Sequence, residues 1–176
     1  YDRSDGITML VTFVAVLVIG IEAGILVGVA ASVVLYLYRT SHPHTAVIGR
    51  IDDTEHFRNV QRHDVITYPQ LILMRIDESL YFPNAAYLED EVLGLVANTP
   101  ELTDLVLVCS AVNYIDISAL EVLEKLIYEL EDAGVRFHMA EVKGPEMDRL
   151  RQIGFIDELG PERVFISTHA AVCALT

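Results

Sequence analysis

The segment Asn113-Tyr114-Ile115-Asp116-Ile117-Ser118-Ala119-Leu120 places a carboxylate and a hydroxyl between an apolar run and a helical pattern. Two chemistries fit that spacing. Asp116 or Ser118 can cap the helix, accepting from the free N–H groups of its first turn. Alternatively, Ser118 offers an exposed, modifiable hydroxyl, and a phosphate there is tolerated because helix N-termini favour anions. Partners and ligands gather at the C-terminal ends of strands in α/β sheets. Asp116, Ser118, Ala119 and Leu120 are therefore the candidate regulatory or partner-docking residues, with Ser118 as the candidate phosphosite.

Other reactive side chains suggest less. His138 falls in an apolar run and reads as a structural histidine. Cys109 sits in another apolar run and reads as packing. Cys173 has no cationic neighbour in the sequence to lower its pKa. His42, His44, His56 and His63 match no standard zinc spacing and have no cysteine beside them. No glycine-rich phosphate loop and no G-x-S-x-G elbow is present. The sequence thus predicts no catalytic residues, no metal ligands and no cofactor, so no enzyme.

The elements that must hold this segment follow from how charge and hydrophobicity are segregated. The 176 residues carry 12 basic and 26 acidic side chains, a net charge of −14, which argues against nucleic acid as a partner. Yet 52% of the residues are hydrophobic. Residues 7–38 hold a single formal charge, Glu22, whereas residues 65–176 hold 7 basic and 19 acidic ones. This is a membrane segment followed by an acidic soluble domain.

Those 32 apolar residues would reach about 48 Å as one helix, against roughly 30 Å of hydrocarbon. Gly20-Ile21-Glu22-Ala23-Gly24 interrupts them with two glycines and the lone charge. We read a transmembrane hairpin over 1–38, with short helices at about 7–19 and 25–38 and a turn near Glu22. The alternative is one tilted helix ending near Tyr36. Gly20, Gly24, Gly28 and Ser32 recur every fourth residue, a spacing that lets membrane helices pack closely. Tyr36 and Tyr38 suit the membrane interface, and the arginines after them place this exit in the cytoplasm. Residues 39–64, polar and basic, read as a juxtamembrane linker touching lipid headgroups or the membrane domain.

Residues 65–176 read as the soluble domain. Strands are predicted at Leu71–Ile76, Ser79–Phe82, Leu105–Cys109, Val135–Ala140 and Val164–Ile166. A helix opens at Pro83-Asn84. The strongest helix carries Leu120, Leu123, Leu126, Ile127 and Leu130 at helical spacing and stops at Gly134. A further helix runs from Gly144-Pro145 to Gly154, and Ser167 or Thr168 caps a last one over Ala170–Leu175. The order is ββαβαβαβα, an α/β fold with a mostly parallel sheet covered by helices.

Asp116-x-Ser118-Ala119-Leu120, following Leu105–Cys109, resembles the signature of STAS domains. These occur in anti-sigma factor antagonists and at the C-termini of sulfate permease (SulP) anion transporters. Antagonists carry a phosphorylated serine at the position of Ser118. Ala119 stands where they usually have glycine, which points to the transporter branch. Asp2-Arg3-Ser4-Asp5, Gly20-Ile21-Glu22-Ala23-Gly24, Tyr38-Arg39-Thr40-Ser41-His42-Pro43-His44, Gly49-Arg50, Glu55-His56-Phe57-Arg58-Asn59-Val60, Ala140-Glu141-Val142-Lys143-Gly144-Pro145 and Asp148-Arg149-Leu150 also look like bacterial SulP proteins.

The resemblance implies the C-terminal piece of a multi-pass cell-membrane transporter with its STAS domain in the cytoplasm. It implies transport of sulfate, bicarbonate or a related anion, coupled to a cation or by exchange. The anion site would lie in the upstream transmembrane domain, leaving no substrate-binding residue in this chain. The partners implied are that upstream domain, membrane lipid, a cytoplasmic regulatory protein and a second copy in a full-length homodimer. The alternative is a membrane-tethered STAS signalling module resembling an anti-sigma factor antagonist.

Overall fold

The computed structural model describes residues 3–176, with side chains from residue 6 onward. Asp2, which opens one of the matched stretches, lies outside them. The chain divides into two compact units, residues 1–42 and 43–176.

In the first unit, α1 (Arg3–Ile19) and α2 (Ile21–Ser41) are separated by one residue, Gly20, at φ 94°. The turn predicted near Glu22 therefore falls earlier, and both helices run longer than predicted. Glycine adopts a positive φ with little strain, so one residue suffices to break the helix. Glu22 instead sits in the first turn of α2, where a carboxylate suits the positive end of the helix dipole. By length and composition α2 can cross a membrane: its 21 residues give about 31 Å. The apolar part of α1, Gly6–Ile19, is shorter.

The helices touch through glycine. A Cβ at Gly24 would lie 2.5 Å from the Val16 Cα, and one at Gly28 2.6 Å from the Thr12 side chain. Those contacts ascend one helix while descending the other, so the pair is antiparallel. Gly20 has open space around it and serves the break rather than the packing. Ser32 lines a groove farther along with Thr8, Thr12 and Tyr36. Gly24→Val should push the helices apart by about 1–2 Å, since interaxial distance follows the side chains at the contact. Spin labels at Ile7 and Leu37, with both native cysteines replaced, report that distance. An unchanged distance would refute the glycine contact.

The second unit holds a six-stranded sheet in the order β2-β1-β3-β4-β5-β6. Its strands are β1 (Thr45–Arg50), β2 (Phe57–Asn59), β3 (Leu71–Ile76), β4 (Asp104–Val108), β5 (Arg136–Ala140) and β6 (Val164–Phe165). From β3 to β6 all neighbours are parallel; β1 is antiparallel to both β2 and β3. The sheet is thus mixed, with its parallel part as predicted.

Two expectations are corrected. Residues 39–64 are not simply a linker, because they supply β1 and β2. Ala46 and Ile48 on β1 are buried in the core with Leu71 and Leu73 of β3. Gly49 lies so close to the neighbouring segment that a Cβ would stand 2.6 Å from the Ile66 carbonyl oxygen. Ser79–Phe82 is not a strand: only Leu80 makes an isolated parallel bridge, to Ile115. Phe82 already begins α3 (Phe82–Ala97), with Pro83 in its first turn, where the missing N–H costs no helix bond.

The connections β3-α3-β4, β4-α4-β5 and β5-α5-α6-β6 put α3, α4 (Ile117–Asp132), α5 (Gly144–Gln152) and α6 (Phe155–Leu159) over one face. Leu88, Val92, Leu123, Leu126, Leu130, Leu150 and Phe155 bury that face with Leu105, Leu107, Phe137 and Met139. β4 is buried at every residue, as its unbroken apolar run predicts. The other face carries Leu73, Val106, Val108 and Ala140, and is covered by Ala171 and Val172 of α7 (Thr168–Leu175). Ser167 caps α7, accepting from the Ala170 N–H at 3.1 Å.

Candidate functional site

The site lies beyond the C-terminal end of β4, where the chain enters α4. Three neighbouring pieces fix it there: the residues before α3, the loop 110–116, and the first turns of α5. Leu80 N–H donates to the Tyr114 carbonyl at 2.9 Å, and Asp116 N–H returns a bond to the Leu80 carbonyl at 2.9 Å. Asn84, fully buried, secures the segment before α3: its Oδ1 accepts from Tyr81 N–H and its Nδ2 donates to the Ser79 carbonyl.

Asp116 is the cap. Its Oδ1 accepts from the Ala119 N–H at 2.7 Å, closing the first turn of α4. Its Oδ2 accepts from the Phe82 N–H at 3.0 Å, at the first residue of α3. One carboxylate therefore serves the N-termini of two helices, each of which leaves free N–H groups at the positive end of its dipole.

Ser118 is not the cap. It sits one residue inside α4, half-buried, and among the described residues its hydroxyl makes no hydrogen bond to another side chain or to the backbone. A phosphate on Ser118 would meet an N-terminus that Asp116 already occupies with negative charge, which weakens the electrostatic case for a phosphosite.

Of the four candidate docking residues, Ala119 and Leu120 turn inward. Ala119 is fully buried, and Leu120 packs against the main core. Ala119 belongs with Leu123, Leu126 and Leu130 to the inward stripe of α4, and Leu120 borders it. The side chains that do face outward here are Phe82, Tyr114 and Ile117, at 73%, 48% and 75% exposure. Phe82 is tied to Asp116 through its N–H, and Tyr114 and Ile117 stand within two residues of it, exposed apolar side chains on an acidic domain.

The third side of the site is formed by α5. Glu146, in the first turn of α5, is only 3% exposed. Its Oε1 accepts from the Ile115 N–H at 3.0 Å, and its Oε2 from Arg149 Nη1 at 3.1 Å. The Arg149 guanidinium lies 4.5 Å from the centre of the Tyr114 ring. Lys143, just before α5, donates to Asn113 Oδ1. The sequence signal at Glu146 was only an acidic residue after Gly-Pro, which reads as dipole compensation.

The remaining reactive groups lie elsewhere. Cys109 is buried, and burial together with the Glu141 charge pushes its thiol up to about 12. Cys173 is exposed, with its Sγ 3.5 Å from His169 Nε2. His44 pairs with Asp77 at 2.8 Å. Among the described residues, no three His, Cys, Asp or Glu side chains come together to hold a metal ion.

At the N-terminal end of the strands, His138 Nε2 donates to Asp104 Oδ1 at 2.8 Å. Asp104 Oδ2 also accepts from Arg136 Nη2 and Thr103 Oγ1. Burial pushes the Asp104 carboxyl up, but the bonds from Arg136, Thr103 and His138 outweigh it and hold it below the usual range. Burial lowers His138, and outweighs the opposing pull of Asp104. His138 Nδ1 is buried without a partner among the described residues.

The STAS domain family matches residues 59–171. A probable sulfate transporter 4.2 of Arabidopsis thaliana is 30% identical over 182 residues, covering 97% of this chain and 27% of its own length. A probable sulfate transporter of Mycobacterium tuberculosis is 32% identical over 181 residues, covering 99% of this chain and 31% of its own length. The chain thus spans less than a third of these curated relatives.

Among solved structures, the murine Slc26a9 anion transporter in the inward-facing state matches with a TM-score of 0.84 at 21% identity, covering 98% of this chain and 28% of that one. The STAS domain of a Vibrio cholerae SulP transporter matches with a TM-score of 0.52 at 18% identity, covering 65% of this chain and 87% of that one. At these identities the structures speak to the fold alone.

Proposed function

The chain belongs to the STAS domain family, and from that membership we propose that it is the C-terminal part of a secondary anion transporter whose STAS domain regulates transport. One observation carries this reading. The likeness to proteins named as sulfate transporters runs through 97–99% of the chain, taking in the apolar hairpin as well as the domain. The transported species is sulfate, bicarbonate or a related anion. The anion site lies in transmembrane segments that precede Tyr1, and those segments are the partner of the α1–α2 hairpin. The protein sits in the cell membrane, with the domain on the cytoplasmic side, where Arg39, Arg50, Arg58 and Arg62 follow the hairpin.

Regulation acts through the loop around Asp116. Phe82 and Ile117, with the exposed half of Tyr114, give a docking protein an apolar contact. A signalling module in the manner of an antagonist is the second reading. It is supported by the fold likeness to a putative anti-sigma factor antagonist of Thermotoga maritima, at a TM-score of 0.51.

The test is uptake of labelled sulfate and bicarbonate by cells lacking their own carriers. They are given the complete reading frame that contains this chain. Uptake above background is expected from the complete protein, and background uptake from liposomes holding the 176 residues alone. Ile117→Asp should change the rate several-fold at equal membrane levels, since a side chain that is 75% exposed can be made polar without loss of fold. No uptake by the complete protein would refute the transporter reading. Unchanged uptake with Ile117→Asp would refute the docking surface.

A further inference from the structure

The loop that carries the docking residues is held differently on its two sides. Toward α3 it is tied by backbone bonds, Leu80 to Tyr114 and Asp116 to Leu80. Toward α5 the bonds run through side chains: Glu146 to the Ile115 N–H, Arg149 to Glu146, and Lys143 to Asn113. Glu146 is a buried carboxylate, and such a group persists only where it is paired and its oxygens are hydrogen-bonded. Arg149 supplies the pairing, and it reaches Glu146 while lying across the half-exposed Tyr114 ring.

Arg149 is itself 45% exposed at its side chain. The chain Ile115–Glu146–Arg149–Tyr114 therefore starts in the core and ends at the surface, in the loop that leads to Ile117.

The geometry points to Glu146 and Arg149 as a latch that sets the position of the 113–118 loop, so that α5 regulates the docking surface. They are positioning residues: Glu146 fixes the loop backbone, and Arg149 fixes Glu146 and Tyr114 together. This inference rests on the docking role of that loop for its functional meaning. Weakening either residue frees Ile115 and Tyr114 locally, while the backbone bonds toward α3 and the Asp116 cap still hold α4.

Amide hydrogen exchange on the whole 176-residue chain in detergent micelles tests this. Glu146→Gln keeps the shape and an acceptor but loses the charge opposite Arg149. Arg149→Lys keeps the charge but loses the planar group over Tyr114. Each should speed exchange of the Ile115 amide about tenfold through local opening, while the amides of Val106 and Met139 keep their wild-type rates.

An unchanged Ile115 rate in both variants would overturn the latch. So would an equal rise at Val106 and Met139, which would mean a general loss of structure. If Glu146→Gln fails to fold, Arg149→Lys decides the matter by the same amides. Exchange reads the latch alone, whereas the uptake of Ile117→Asp reads the docking role, so either can fail without the other.

Discussion

Asp116→Ala should cost the folded chain about 2–3 kcal/mol, more than removal of any ordinary helix cap. The usual cap serves one helix and is worth about 1 kcal/mol. Here the same carboxylate accepts from Ala119 on α4 and from Phe82 on α3. Alanine leaves both N–H groups without their charged acceptor, at the positive ends of two dipoles. Asp116→Asn keeps one carbonyl oxygen and should lose about half as much. Ser118→Ala removes a hydroxyl that bonds to neither helix and should stay within about 0.5 kcal/mol of wild type. Urea denaturation of the three variants settles the ranking. Equal losses for Ser118→Ala and Asp116→Ala would contradict the shared cap.

Acid should weaken the domain in two stages, and the His138–Asp104 pair on the neighbouring strands β5 and β4 contributes to both. His138 titrates below the ordinary histidine range in the fold because burial disfavours its charged form. The unfolded chain then takes up the proton first. Its contribution is whole above about pH 6.5 and is lost as pH falls through the folded value. Asp104 also titrates below its ordinary range, held there by Arg136, Thr103 and His138 against the effect of burial. Its contribution is present above about pH 3.9 and disappears as pH falls further.

Stability measured by urea at stepped pH should therefore decline from the neutral side, then fall again in strong acid. His138→Gln, which can still donate to Asp104, should flatten the first stage. Asp104→Ala should cost about 1–3 kcal/mol at neutral pH, because it strands the N–H of a buried neutral imidazole, and should shrink the second stage, to which Asp77, held low against burial by Arg75 and His44, also contributes. A stability that rises on acidification from pH 7 would overturn the assignment.

What the sequence made legible, and what it hid, follows from how local each cause is. β4 could be read because Leu105 to Val108 are apolar without a break. α4 could be read because Leu120, Leu123, Leu126 and Leu130 repeat at helical spacing up to Gly134. The role of Asp116 as a cap was legible for the same reason, since the cap and the turn it closes are three residues apart. Its second partner, Phe82, lies 34 residues away and has no local signature.

β1 escaped because its apolar stretch, Ala46-Val47-Ile48, is only three residues long within a polar and basic segment, and its partner β3 comes later in the chain. Ser79–Phe82 looked like a strand because it is apolar, but Pro83 and the buried Asn84 commit it to a helix start. The burial of Glu146 depends on where α5 docks against the loop, which no spacing records. In the hairpin, Glu22 drew the expected turn to itself, while the turn needed only the backbone freedom of Gly20.

The one-sided arrangement of the crossover helices also fixes an order of events during synthesis. The strands β3, β4 and β5 are each followed by helices on the same face, so that face closes step by step as the chain lengthens. The opposite face waits for α7, which follows all six strands. Until Ala171 and Val172 emerge, Leu73, Val106, Val108 and Ala140 form a bare apolar surface on an otherwise finished sheet. A chain ending before Thr168 is thus sticky on one side only, the setting in which chaperones capture partly folded domains.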